Sequence, residues 1–292
     1  MHRNCTLLCL ALSAPLWAAV EPLASFPIVL EKNLPLAQVR IGASEPVWFI
    51  LDSAAAHCVI DSQVVKQLAL AAVDQAITSG SGGSVQVPLL KNTPLDLGGL
   101  KILPDRTLAY DLSGLKFVHP VAGILGMPLF GNYVVDLDYP RQVARIYATK
   151  DYVPPPGAIR IPSRMTTAPT IAAVVELTGR QPYTIDVEVD TGSAHVLTLC
   201  SPFVRREKLL DAATELKTGR TLGIGGASPD STGKIKALTI GPFRIADPEV
   251  RFSSSEKGSL ATDVFQGNVG SGFLKDYRVI FDIPHNQMWL CR

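Results

Sequence analysis

The sequence predicts a mainly β chain made of two copies of one lobe, two pseudo-twofold-related β-barrel lobes with short helices. Two observations predict it. The first is a repeated turn: Asp52-Ser53-Ala54-Ala55-Ala56-His57 and Asp190-Thr191-Gly192-Ser193-Ala194-His195 each place a carboxylate at the end of an apolar run, followed by a hydroxyl residue and a small one. The repeat continues at an offset of about 140 residues, too regular for an accident of short motifs. It pairs Gly80-Ser81-Gly82-Gly83 with Gly223-Ile224-Gly225-Gly226, Leu95-Asp96-Leu97-Gly98 with Leu238-Thr239-Ile240-Gly241, and Gly123, Gly126, Tyr133, Asp138 and Pro140 with Gly267, Gly270, Tyr277, Asp282 and Pro284. The second observation is that both halves consist of short runs rich in β-branched and aromatic residues, bounded by Gly, Pro and Asp.

In chain order, residues 1–19 read as an export signal. Arg3 supplies a positive start, Leu7 to Trp17 an apolar core too short to span a bilayer, and Ala18-Ala19 a cleavage site. The first lobe is expected over 20–152, with strands at Ile28–Leu30, Ala37–Ile41, Val47–Leu51, Tyr133–Leu137 and Val143–Tyr147. Asp61 is expected to cap a short helix over 62–68. Successive prolines in 153–157 remove backbone donors and cannot form an interior strand, so that run is expected to link the lobes. The second lobe, 158–292, is expected to hold strands at Ile171–Leu177, Tyr183–Val189, Lys234–Ile240, Val279–Phe281 and Met288–Leu290, and a helix capped by Ser201 with Pro202 at its first position. With cleavage near Ala19 the first strand is expected within roughly ten residues, too few for a separately packed inhibitory pro-segment, so none is expected.

Composition narrows the function. A chain of 292 residues suits two domains, and 47% hydrophobic residues suffice for a core in each. The 27 basic and 26 acidic side chains nearly cancel and form no runs, so nothing favours nucleic acid or an anionic membrane surface as partner. Removing Cys5 and Cys9 with the signal leaves Cys58, Cys200 and Cys291; either three free thiols or one bridge is open, with Cys200 to Cys291 the first pairing to check.

The ordered set of motifs resembles the retropepsin-like aspartic peptidases, with two lobes fused in one chain in the manner of pepsin. The resemblance implies an acid-protease-like fold in which Asp52 and Asp190 form the catalytic pair, supported by Ser53, Thr191, Ala54, Gly192 and Ser193. It implies two hairpin flaps, around Gly80 to Val87 and Gly223 to Ser231, with Gly82, Gly83, Gly225 and Gly226 at their tips. It also implies glycine steps, Ile124-Leu125-Gly126 and Asn268-Val269-Gly270, beneath the catalytic turns. The implied partner is an extended peptide or unfolded protein, bound by a monomer without cofactor or metal. Ala54 stands where that family usually has glycine, so two functions remain open: an exported endopeptidase, or a peptide-binding protein whose dyad Ala54 has spoiled.

Peptide hydrolysis needs a base for water and an acid for the amide at one place. Two carboxyls about 3 Å apart cannot both ionise, so they share one proton and supply both roles. Because Ser193 faces Ala55 across the repeat, its hydroxyl is expected to favour the charged form of Asp190, leaving Asp52 as the proton carrier. The competing motifs are weaker. His57 and His195 are expected to be packed strand-end residues, and Asp138 and Asp282 turn residues. No zinc-ligand spacing, P-loop or Gly-x-Ser-x-Gly elbow is present.

Overall fold

The computed structural model describes residues 20–292. The expected export signal, with Cys5 and Cys9, lies outside them. The chain is mostly strand, and the same seven-strand order occurs twice. In the first half Leu34–Ile41 pairs with Val47–Leu51, which runs parallel to Val121–Leu125. The order continues through Cys58–Asp61 and Thr107–Tyr110 to the hairpin Ala72–Gly80/Gly83–Leu90. In the second half the equivalents are Pro169–Glu176, Tyr183–Asp190, Gly267–Gly270, Leu197–Leu199, Glu249–Ser253 and the hairpin Thr214–Gly223/Gly226–Lys234. The inner strands Val47–Leu51, Cys58–Asp61, Leu197–Leu199 and Gly267–Gly270 bury residues on both faces, which explains runs such as Val47–Leu51 that lack an inside-outside alternation. The flap strands Ala72–Gly80 and Thr214–Gly223 are largely exposed.

A six-stranded sheet joins the halves. Each half contributes three strands: Ala24–Pro27, Val134–Asp138 and Val143–Tyr147 from the first, and Ile159–Met165, Arg278–Asp282 and Gln287–Cys291 from the second. The local twofold passes between Val134–Asp138 and Arg278–Asp282, paired antiparallel with Asp136 opposite Ile280. Arg278 crosses from the second half to grip the buried Asp136 carboxylate with two bonds, Nε at 2.9 Å and Nη2 at 2.6 Å. Bidentate geometry of this kind fixes orientation as well as charge. The prolines of 153–157 form no strand and lead into Ile159–Met165.

Three expectations need correction. Ser201 is the first residue of the helix Ser201–Arg206 and not its cap; Cys200 holds the cap position, Pro202 is second, and the Ser201 hydroxyl turns inward to donate to the Ser255 carbonyl. Lys234–Ile240 is not one strand, because the chain leaves the flap hairpin after Lys234, anchors Lys236 N–H on the Glu176 carbonyl, and starts Ala237–Ile240 at another edge. Cys200 and Cys291 are not bridged: all three cysteines of the described residues are free, Cys200 sitting with Leu260 and Phe265 and Cys291 against a separate cluster near Trp289. Asp61 does cap its helix, Ser62–Gln67, accepting from Gln63 N–H at 2.8 Å.

Candidate active site

Each aspartate turn begins where a buried strand runs out beside a parallel neighbour. Leu51 pairs with Leu125 and Asp190 with Gly270, so both aspartates emerge at the same level of the two lobes. The glycine step under each turn is a matter of space: a Cβ on Gly126 would lie 2.2 Å from the Ala55 carbonyl, and one on Gly270 would lie 2.5 Å from that of Ser193. Those carbonyls accept the first N–H groups of the next segments, Met127 at 2.8 Å and Ser271 at 2.7 Å.

The hydroxyls of Ser53 and Thr191 cross the lobe junction. Thr191 Oγ1 donates to the Leu51 carbonyl (2.7 Å) and accepts from Ser53 N–H (2.9 Å). Ser53 Oγ donates to the Val189 carbonyl (2.7 Å) and accepts from Thr191 N–H (3.1 Å). All four bonds are buried, and they set the two turns so that the Asp52 and Asp190 carboxyl groups are neighbours across the junction.

The two carboxyls are not equivalent. Burial, and then the neighbouring Asp190 carboxylate, pushes Asp52 well above the usual range, although its Oδ1 accepts from Ala54 and Ala55 N–H at 2.9 Å each. Burial also raises Asp190, and against this Asn268 Nδ2 donates to its Oδ2 at 2.7 Å and Gly192 N–H to its Oδ1 at 2.8 Å. Asp190 thus has a side-chain donor that Asp52 lacks, and it is not the Ser193 hydroxyl that was expected there. The Ser193 hydroxyl lies toward Gly270 and only its backbone N–H reaches Asp190. Asn268 escaped the sequence reading; the signal was there, since it stands in the glycine step where the first lobe has Ile124.

Ala54 fits. Its φ is not in the left-handed region, so its Cβ brings no backbone strain. Gly192 has no such latitude, since a Cβ there would lie 2.2 Å from Asp52 Oδ2. Gly192→Ala is accordingly expected to displace the Asp52 carboxyl and cut turnover by about 10²-fold or more, whereas Ala54→Gly stays close to wild type. Steady-state kinetics on the two variants, with circular dichroism to confirm the fold, checks this.

Both expected flaps are hairpins, and their tips meet. Gly82 N–H donates to the Ile224 carbonyl at 3.1 Å, and Gly225, at φ +85°, passes so close to Gly83 that a Cβ would lie 2.2 Å from its carbonyl oxygen. Gly226 follows with a left-handed φ, as does Gly83 in the first flap. The loop after Ser255 clasps the first flap through Ser259 N–H to the Gly80 carbonyl (3.0 Å), and the Tyr110 hydroxyl accepts from Gly225 N–H (3.2 Å). Beneath this roof lies a cavity of about 410 Å³, with the two aspartates in its lining. His195 also lines it, its imidazole pushed down to about 4 by burial and then by Arg251, while His57 opens onto a separate surface groove. Among the described residues no cluster of three or more His, Cys, Asp or Glu could hold a metal ion.

Fold and site together define a bilobal chain that brings one aspartate from each half to a common junction. Residues 37–129 match the family described as "Aspartyl protease". Among solved structures the chain is similar to the aspartic proteinase from Irpex lacteus, at 11% identity and a TM-score of 0.58, over 92% of this chain and 96% of that one. No curated protein matches the sequence. The fold is thus the bilobal acid-protease fold, and the first lobe carries the protease signature in its sequence.

Proposed function

We propose that the protein is an exported aspartic endopeptidase that cuts within an extended peptide or unfolded protein held between its lobes. The observation that carries this reading is the half-buried Asp52–Asp190 pair, set side by side across the lobe junction by the Ser53 and Thr191 hydroxyls, with both carboxyls raised by burial. In the reaction, ionised Asp190 takes a proton from water while protonated Asp52 donates to the scissile carbonyl oxygen. Water adds to that carbon to give a neutral diol. Asp190 then passes its proton to the leaving nitrogen, Asp52 takes one back from the diol, and the C–N bond breaks to give acid and amine. The paired flaps hold the peptide backbone over the dyad and exclude bulk water. One chain supplies both halves of the dyad, so a monomer is competent in this reading. Export rests on the Arg3 to Ala19 pattern.

The test is digestion of an unfolded protein from acidic to neutral pH, with products sequenced by mass spectrometry. Internal cleavages blocked by a statine-type transition-state mimic are expected. Cleavage confined to chain ends would exclude the endopeptidase assignment, and peptide binding without any cleavage would favour the peptide-binding alternative.

A further inference from the structure

The two halves of the cleft differ where the repeat sets them face to face. Two residues before Asp52, on the same strand face, stands Ile50; two residues before Asp190 stands Glu188. Two residues before Gly126 stands Ile124; two before Gly270 stands Asn268. Ile50 and Ile124 are register partners, and so are Glu188 and Asn268. All four line the cavity. The first lobe therefore offers an apolar wall, continued by Leu34 and Leu112, and the second offers a carboxyl and an amide beside Thr198.

We propose that the second-lobe half of the cleft is a pocket for a substrate side chain ending in a positive charge, lysine or arginine, with Glu188 as the residue that selects it. This rests on the reading of the chain as a protein that takes peptides into this cleft.

Three observations support it. The charged side chains lining the cavity are Asp52, Asp111, Glu188 and Asp190, with no lysine or arginine among them, and His195 is held neutral. Glu188 has no cationic partner among the described residues, only the Thr167 hydroxyl donating to its Oε1. Such a carboxyl is expensive to ionise: burial, and then nearby Asp190, pushes it up to about 7. Beside it, the Asn268 carbonyl oxygen is buried and accepts no hydrogen bond, although that residue is only 8% exposed and its amide is fixed on Asp190. An ammonium or guanidinium group arriving here brings several donors and no acceptor, so it satisfies the orphaned oxygen and the carboxylate together. Leu260, also in the lining, offers apolar surface for the aliphatic stem.

The test separates the pocket from the chemistry. Asp52→Asn leaves Glu188 and Asn268 untouched and serves as a non-cleaving binder. Calorimetric titration with pairs of peptides, lysine against norleucine moved through successive positions, is expected to show about tenfold tighter binding of lysine at one position, a difference of about 1.4 kcal/mol. Glu188→Gln added to Asp52→Asn keeps the size of the side chain and its contact to Thr167, and is expected to erase that preference. Equal affinities at every position, no binding of either peptide, or a lysine preference that survives Glu188→Gln would each overturn the proposal. The lysine–norleucine comparison needs no Glu188 variant, so it stands even if that variant fails to fold. If discrimination appears while wild-type protein cuts nothing, the pocket holds and the peptidase reading falls.

Discussion

Asp190→Asn is expected to lower kcat by about 10³-fold or more, and Asp52→Asn by a similar factor, with both variants folded and still able to bind peptide. In the proposed reaction each aspartate holds one of the two roles, and neither has a substitute: Glu188, a further carboxyl in the cleft, is two residues back from Asp190 on its strand. The pH profile should be bell-shaped, falling on the acid side as Asp190 takes up a second proton and on the alkaline side as Asp52 loses its own. Because the titration belongs to the pair, the informative variant is one that touches a single member. Asn268→Leu removes a donor that stabilises only the ionised form of Asp190. Losing it makes protonation easier, so the acid limb moves to higher pH, by about one unit for a charge-assisted bond of this kind. Ser193→Ala, whose hydroxyl points elsewhere, leaves the limb in place. A limb that moved with Ser193→Ala and stayed put with Asn268→Leu would reverse the assignment of the donor.

The contrast between Ser193 and Asn268 shows where sequence reading stops. The strand leading to Asp52 was readable as an apolar run ended by Asp, and that leading to Asp190 as an alternation of Ile185, Val187 and Val189 with polar residues; Val47–Leu51 and Val143–Tyr147 have the expected bounds. The flap strand Thr214–Gly223 was not, because it is an exposed edge with polar residues on both faces and no period to detect. The glycine at its tip was readable as part of a repeat; that the two tips touch was not, since contact between flaps depends on how the lobes are set by the shared sheet. The same limit applies to side-chain direction. Repeat alignment correctly placed Ser193 next to Asp190 along the chain, yet a neighbour in sequence at a tight turn need not point at the carboxylate. The residue that does comes from the parallel strand, 78 positions later. Comparing the lobes position by position for places where one is polar and the other apolar would have found both Asn268 and Glu188.

Thr191→Val is expected to destabilise the protein by about 3 kcal/mol or more, a large part of the total stability of a typical domain. Valine has the shape of threonine but cannot donate to the Leu51 carbonyl or accept from Ser53 N–H. Both of those backbone groups sit in fully buried residues, so no water replaces the lost partner and each carries its own desolvation cost. Thr191→Ser keeps both bonds and is expected to lose little. Ser53→Ala should resemble Thr191→Val, because it orphans the Val189 carbonyl and Thr191 N–H in the mirror position. The double variant should cost less than the two single costs together, since the hydroxyls support each other across one junction. Thermal and denaturant unfolding of the four variants and the wild type measures this, and a valine variant as stable as wild type would show that the junction is held elsewhere. The consequence for catalysis follows from the same geometry: the hydroxyls bond to backbone on either side of the aspartates and not to the carboxylates themselves. They fix the distance between two strands, and on the proposed mechanism it is that distance which lets the pair share one proton.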